Sequence, residues 1–266
     1  MTLADASIYS PRAIHDRWAW LPKPNPQATV RLFCFPYAGA GASTFRDWPH
    51  SLPANVEVVG IQLPGRENRY TEKKLDRLED VLKALRNVIA GMSDLPFIFF
   101  GHSVGALIAF ELTRLLHRDG LRGPRHLVVS GRRAPQSVSA DEPMHSMDDA
   151  AFLSKLGELN GTPRELLQNA ELMKLVMPLL RADFAVAERY VCNDLTPVAC
   201  PLTAIGGDRD TGVSPNELAA WSAVAGGSFR HEVFPGDHFF IHPSKVQVLA
   251  LIGAIAGRKA SSTQRV

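Results

Sequence analysis

Six short, almost unbroken apolar runs limit what this chain can fold into: Val30–Tyr37, Val56–Leu63, Phe97–Gly101, His126–Gly131, Leu202–Gly207 and Phe229–Phe234. A strand with one wet face alternates apolar and polar residues, because successive side chains point to opposite faces. Strands apolar at every position need cover on both faces, which is the habit of parallel sheets flanked by helices. Only the last run, Phe-Arg-His-Glu-Val-Phe, is polar in its middle, and that suits an edge strand.

Helical signals fill the gaps. Leu75, Leu78, Val81, Leu82, Leu85, Val88, Ile89 and Met92 recur at spacings of three and four, with charged residues between them. Val104 to His117 is apolar nearly all round and predicts a buried helix. Ser214-Pro215-Asn216-Glu217 combines a capping Ser, a Pro at the first helical position and a Glu at the third. Strands alternating with helices imply right-handed crossovers and a mostly parallel α/β sheet. The chain has 266 residues, 45% of them apolar, enough to bury the core of one such domain over 30–257. Residues 1–29, with Pro22, Pro24 and Pro26, read as a polar leader, and 258–266 as a disordered tail.

One segment, from about 146 to 190, carries no strand signal. Thr162-Pro163-Arg164-Glu165 is a capping box, Asn169 is placed to cap the next helix, and Leu172, Leu175, Val176, Leu179, Leu180 and Phe184 form an apolar stripe. This is a candidate helical lid; periodicity fits an ordinary crossover made long equally well.

Charge and cysteine content exclude several functions. The net charge is +2 with no dense run of Lys and Arg, so no nucleic-acid partner is expected. Cys34, Cys192 and Cys200 are an odd number, without CxxC or Cys/His spacing, which argues against a disulfide framework and a metal site. No cofactor is implied. The N-terminus lacks the apolar stretch of a secretory signal, and Val246 to Gly257 is too short to span a bilayer, so a cytoplasmic protein without a membrane partner is expected.

The chemistry begins at Phe97-Ile-Phe-Phe-Gly101-His102-Ser103-Val104-Gly105, where a strand passes through Gly-x-Ser-x-Gly into a helix. Such a turn lifts a serine hydroxyl above the sheet and sets it at a helix N-terminus, where backbone N–H groups favour developing negative charge. Serine is a poor nucleophile without a base. His238, in Pro235-Gly236-Asp237-His238-Phe239-Phe240 just after the last strand, is the candidate; His242 is its best rival. An acid that orients the imidazole belongs on the loop after the preceding strand. Asp208 and Asp210 both lie there, and Asp210 is favoured because it sits further into the loop. Asp237 is a weaker choice. The second signature is Cys34-Phe-Pro-Tyr-Ala-Gly-Ala-Gly-Ala-Ser43, whose small residues let backbone approach a substrate. The N–H groups of Ala38, in this loop, and of Val104 are the candidate oxyanion hole. Gly39-Ala-Gly41 lacks the third glycine of a dinucleotide-binding loop.

Together, Phe35–Ser43, Gln62-Leu-Pro-Gly-Arg-Glu67, Gly101–Gly105, Leu179-Leu-Arg-Ala-Asp-Phe184, Gly206-Gly-Asp-Arg-Asp210 and Gly236–Phe240 resemble the type II thioesterases, stand-alone editing enzymes of polyketide and nonribosomal peptide synthesis. The resemblance runs from about 28 to 256. It implies an α/β-hydrolase fold and hydrolysis of acyl or aminoacyl thioesters from the phosphopantetheine arm of an acyl- or peptidyl-carrier protein; separately, a monomer is expected. It carries the triad onto Ser103, Asp210 and His238, and makes 146–190 the lid of an acyl chamber. Tyr37 stands where the family often has His, and Asp210-Thr211 where it often has Asp-Pro. Tyr37, Met173, Met177, Phe184 and Phe239 are chamber candidates, although apolar residues of the insertion such as Met173 and Met177 are more often core, and Arg17, Arg66 and Arg132 are candidates for meeting an acidic carrier. The rival readings are a lidded esterase or lipase, a cyclising thioesterase domain, and a hydrolase-fold module that binds acyl carriers without catalysis.

Overall fold

Alternate residues of the apolar runs leave the sheet on opposite faces and enter two separate cores. Phe33, Phe35, Phe97, Phe99, Leu127 and Val129 join one, while Leu32, Cys34, Ile98, Phe100 and Val128 join the other. This is why most of the runs are almost unbroken: each strand has to supply both layers. The computed structural model describes residues 17–137, 142–159, 161 and 164–258.

The sheet has seven strands: β1 (Ala19–Trp20), β2 (Val30–Phe35), β3 (Val56–Ile61), β4 (Phe97–His102), β5 (His126–Ser130), β6 (Leu202–Gly207) and β7 (Phe229–Phe234). Their order is β1-β3-β2-β4-β5-β6-β7, and all pairings are parallel except β1 with β3. β7 ends one edge, as its polar middle predicts. The other edge corrects the reading of 1–29 as a leader. Ala19 and Trp20 pair with Ile61 and Gly60, and Arg69 stacks 4.0 Å over the Trp18 ring. Two residues carry no periodicity, so pattern alone misses such a strand. Residues 1–16, the first part of that segment, and 259–266, nearly all of the expected tail, lie outside the described residues.

Helices α1 (Leu78–Gly91) and α2 (Val104–Arg118) pack on one face and α7 (Lys245–Gly257) on the other. Between β5 and β6 lie α3 (Asp149–Glu158), α4 (Arg164–Leu167) and α5 (Ala170–Glu188). Asn169 caps α5 by accepting from Leu172 N, as expected. Thr162 and Pro163, half of the expected capping box, lie outside the described residues. Ahead of β7, Ser214 and Glu217 close a complete capping box on α6 (Pro215–Ala219). The lid segment has a small core of its own, with Met144, Phe152, Leu156, Met173, Met177 and Leu180 buried together.

Candidate active site

All parallel strands of this sheet deliver their following loops to one edge, and four of those loops meet there. The loop after β4 is the tightest. Ser103 holds φ 56° and ψ −119°, a conformation that costs of order 1–3 kcal/mol in a residue with a side chain. It is held by its N–H donating to Ser130 O (2.8 Å) and by Ala106 N–H donating back to Ser103 O (3.0 Å). The flanking glycines are needed for close approach. A Cβ at Gly101 would collide with the backbone of Gly105, and one at Gly105 with the carbonyls of Phe35 and Pro36. The serine turn is thereby pressed against the small-residue loop after β2.

The loops after β6 and β7 settle against each other. Asp208 Oδ1 accepts from Gly236 N–H at 2.8 Å, and Arg209 N–H donates to Gly236 O at 2.9 Å. Two residues on, Asp210 Oδ2 lies 2.8 Å from His238 Nδ1, while Oδ1 accepts from Gly212 N–H at 2.9 Å. The Asp210 side chain is 2% exposed and the His238 side chain 21%. The structure thus brings Asp210, the favoured carboxylate, to the imidazole and gives Asp208 to the turn. Asp237 accepts from Phe239 N–H and stays local. A carboxylate only accepts, so Nδ1 carries the hydrogen and Nε2 is left as the basic atom.

His238 lies over the serine turn, its ring 5.1 Å from that of His102. Among the described residues no direct hydrogen bond joins the Ser103 hydroxyl to His238, and such bonds often tighten only when substrate is present. His102 is fully buried, with Nδ1 2.8 Å from Ser130 Oγ. Burial, and then the neighbouring His238 and His242, hold it well below the ordinary histidine range, so it forms a neutral floor beneath the base. His242, the rival base, places Nε2 3.1 Å from the Tyr37 hydroxyl and is lowered by burial and by Lys245. It lies in the turn before α7.

Tyr37 meets Phe239 edge to face at 5.1 Å and His102 at 5.6 Å, so both chamber candidates stand at the site. Burial raises the Tyr37 hydroxyl. Met173 and Met177 instead sit in the lid's own core, and Phe184 packs edge-on against Phe152 at 5.9 Å. Among backbone N–H groups of the small-residue loop, Gly39 is committed to Asp183 Oδ2 (2.7 Å) and Ala40 to Tyr37 O (3.1 Å). Ala38 and Val104 have no such loop or cap bond among the described residues, as an oxyanion hole requires.

Two carrier-contact candidates are corrected. Arg66 is buried, its guanidinium paired bidentately with Asp183 at 2.8 Å for both bonds. Arg132 is drawn inward to donate to Ala187 O, and burial pulls its pKa down to about 10. Arginines and aspartates this far apart in sequence give no local sign of pairing. Arg17 is half exposed and paired with Glu72.

The model of the thioesterase domain family matches residues 30–256. The chain belongs to the thioesterase family. The gramicidin S biosynthesis protein GrsT of Aneurinibacillus migulanus is 44% identical, over 88% of this chain and 91% of the relative. A protein named linear gramicidin dehydrogenase LgrE, of Brevibacillus parabrevis, is 41% identical over 89% and 91%. Among solved structures, the type II thioesterase BorB from the borrelidin biosynthetic cluster superposes with a TM-score of 0.82 at 31% identity, covering 91% of this thioesterase and 98% of BorB. The sheet, its flanking helices and these neighbours make it an α/β-hydrolase fold with a helical insertion between β5 and β6.

Proposed function

We propose that this thioesterase hydrolyses acyl or aminoacyl groups from the phosphopantetheine thiol of carrier proteins, clearing stalled or misprimed chains from polyketide or nonribosomal peptide synthases. The observation that carries the chemistry is the Asp210–His238 bond at 2.8 Å beside a serine held in a strained strand-to-helix turn. Ser103 Oγ attacks the thioester carbonyl while His238 Nε2 takes its proton. The oxyanion rests on the N–H groups of Ala38 and Val104, each worth about 2.7–4 kcal/mol in a transition state. The C–S bond then breaks, and His238 returns the proton to the departing sulfur. Water, giving its proton to His238, attacks the acyl-serine; the C–O bond breaks, His238 passes that proton to the departing Ser103 Oγ, and the carboxylic acid is released. Asp210 orients the ring and stabilises its charged form.

The names of GrsT and BorB support a place in antibiotic biosynthesis. The dehydrogenase name of LgrE is not carried over. The space where Gly39 lacks a side chain is filled by Leu180, and that at Gly41 by Glu67, so neither glycine offers bare backbone to a pyrophosphate. Cys34, Cys192 and Cys200 are free thiols, which suits a reducing cytoplasm, and we take the working unit to be a monomer. Among the described residues, no helix is long and apolar enough to cross a membrane.

The test is a set of carrier-bound acyl thioesters of varied length beside p-nitrophenyl esters, with wild type and Ser103→Ala. Burst acylation and fluorophosphonate labelling that vanish in Ser103→Ala, with thioester preferred over ester, bear the reading out. Undiminished turnover by Ser103→Ala refutes the nucleophile, and a preference for the free ester refutes the substrate class.

A further inference from the structure

The segment Gln62-Leu-Pro-Gly-Arg-Glu67 contributes nothing to the triad, yet it touches the small-residue loop at successive points. Gln62 Oε1 accepts from Ala42 N–H at 2.6 Å, and its amide donates to Arg66 O at 3.1 Å. Arg66 donates to Ala40 O at 3.0 Å. Glu67 Oε1 accepts from Ser43 Oγ at 2.5 Å and from Ser43 N–H at 3.3 Å. The fourth attachment comes from the lid. Asp183, on α5, binds Arg66 through both oxygens and also accepts from Gly39 N–H at 2.7 Å. Both side chains are almost wholly buried, 4% and 3% exposed. Leu180, one turn earlier on α5, fills the space above Gly39.

We propose that Gln62, Arg66, Glu67 and Asp183 are positioning residues for the oxyanion loop, and that the Arg66–Asp183 pair makes the setting of that loop depend on a seated lid helix. This rests on the reading of Ala38 N–H as an oxyanion donor. Ala38 lies next to Gly39, whose amide Asp183 fixes, while Arg66 fixes the carbonyl of Ala40. The loop has small residues from Ala38 to Ala42 and no side chains of its own to hold its shape. The neighbouring segment supplies the missing hydrogen bonds, and the buried ion pair joins three chain segments in one geometry. Removing one partner of such a pair leaves a buried charge uncompensated, so its loss is felt at the loop as well as at the lid. Lysine cannot replace the fork of two parallel bonds.

The experiment measures kcat, KM and the rate of fluorophosphonate labelling for Asp183→Asn, Arg66→Lys and, as a control, Asp149→Asn. Asp149 is exposed and ties α3 to α5 through Arg181 without touching the loop. The expected result is a ~10- to 100-fold fall in kcat and in labelling rate together, with KM within about 3-fold, since an oxyanion donor acts in the transition state. Asp149→Asn stays near wild type. A lowered melting temperature with unchanged kcat, a change confined to KM, or an equal loss in the control overturns the proposal. Should Asp183→Asn not fold, Glu67→Ala at the exposed end of the same scaffold replaces it; kcat falls in that variant, and an unaltered kcat overturns the proposal. Ser103→Ala in the same assays separates the two ideas. An active Ser103→Ala refutes the serine mechanism, whereas a dead one beside a fully active Asp183→Asn refutes only the scaffold.

Discussion

Replacing Asp210 by Asn keeps the size of the side chain and removes its charge at the moment His238 becomes an imidazolium. The two groups are 2.8 Å apart, and the carboxylate is 2% exposed. At an effective dielectric of about 20, unit charges at that separation attract by about 6 kcal/mol. Only the charged form of the ring, present in the transition state, enjoys this attraction, so the loss falls on kcat. That energy corresponds to about four orders of magnitude in rate. Asp208→Asn makes a contrasting partner. Its Oδ1 holds Gly236 N–H, so it weakens the turn, costing of order 1 kcal/mol of stability and leaving kcat within a few-fold. Steady-state hydrolysis of an acyl thioester, with thermal melts on the same samples, reads both. An Asp210→Asn enzyme retaining a tenth or more of wild-type kcat, or an Asp208→Asn enzyme that is dead but folded, refutes the assignment.

Other consequences follow from burial and close approach. His126 is buried with Nε2 2.8 Å from Thr203 Oγ1, and burial first, then Arg230, lowers its pKa to about 4. The unfolded chain therefore takes up that proton first. The stabilisation is complete above about pH 6.5 and lost as pH falls toward 4, amounting to about 3 kcal/mol; His126→Gln should flatten the dependence of denaturant midpoint on pH across this window, and an unchanged slope contradicts it. Gly105→Ala forces a methyl group into the Phe35 and Pro36 carbonyls and should destabilise by about 1–3 kcal/mol or more, with activity falling as the turn shifts; a melting temperature at the wild-type value refutes the packing argument. Cys34 and Cys200 are buried, the latter thiol pushed up to about 12, whereas Cys192 is partly exposed. A disulfide reagent on the native protein should titrate one thiol quickly and the others only on unfolding, and rapid reaction of all three counts against this burial pattern.

Six of the seven strands, the sharp turn at the serine and the order of the loops were legible in the sequence, whereas the two-residue β1 was not. Continuous apolar runs leave a strand no wet face, and a strand running through Gly-x-Ser-x-Gly into a helix has one sterically open path, because Gly101 and Gly105 meet backbone on both sides. Those are local constraints, legible within a few residues. What tertiary structure decided was partnership at long range. Asp208 and Asp210 look alike in a sequence, and only the packing of the β6 loop on the β7 loop gives one to Gly236 N–H and the other to the imidazole. Arg66 reads as a surface charge until α5 brings Asp183 to it across a separation of 117 residues. Met173 and Met177 likewise turn inward to the lid's own core, since a helix with apolar side chains buries them against whichever neighbour the fold supplies. Periodicity records that a residue is buried, while the identity of its neighbour is settled by how distant elements pack.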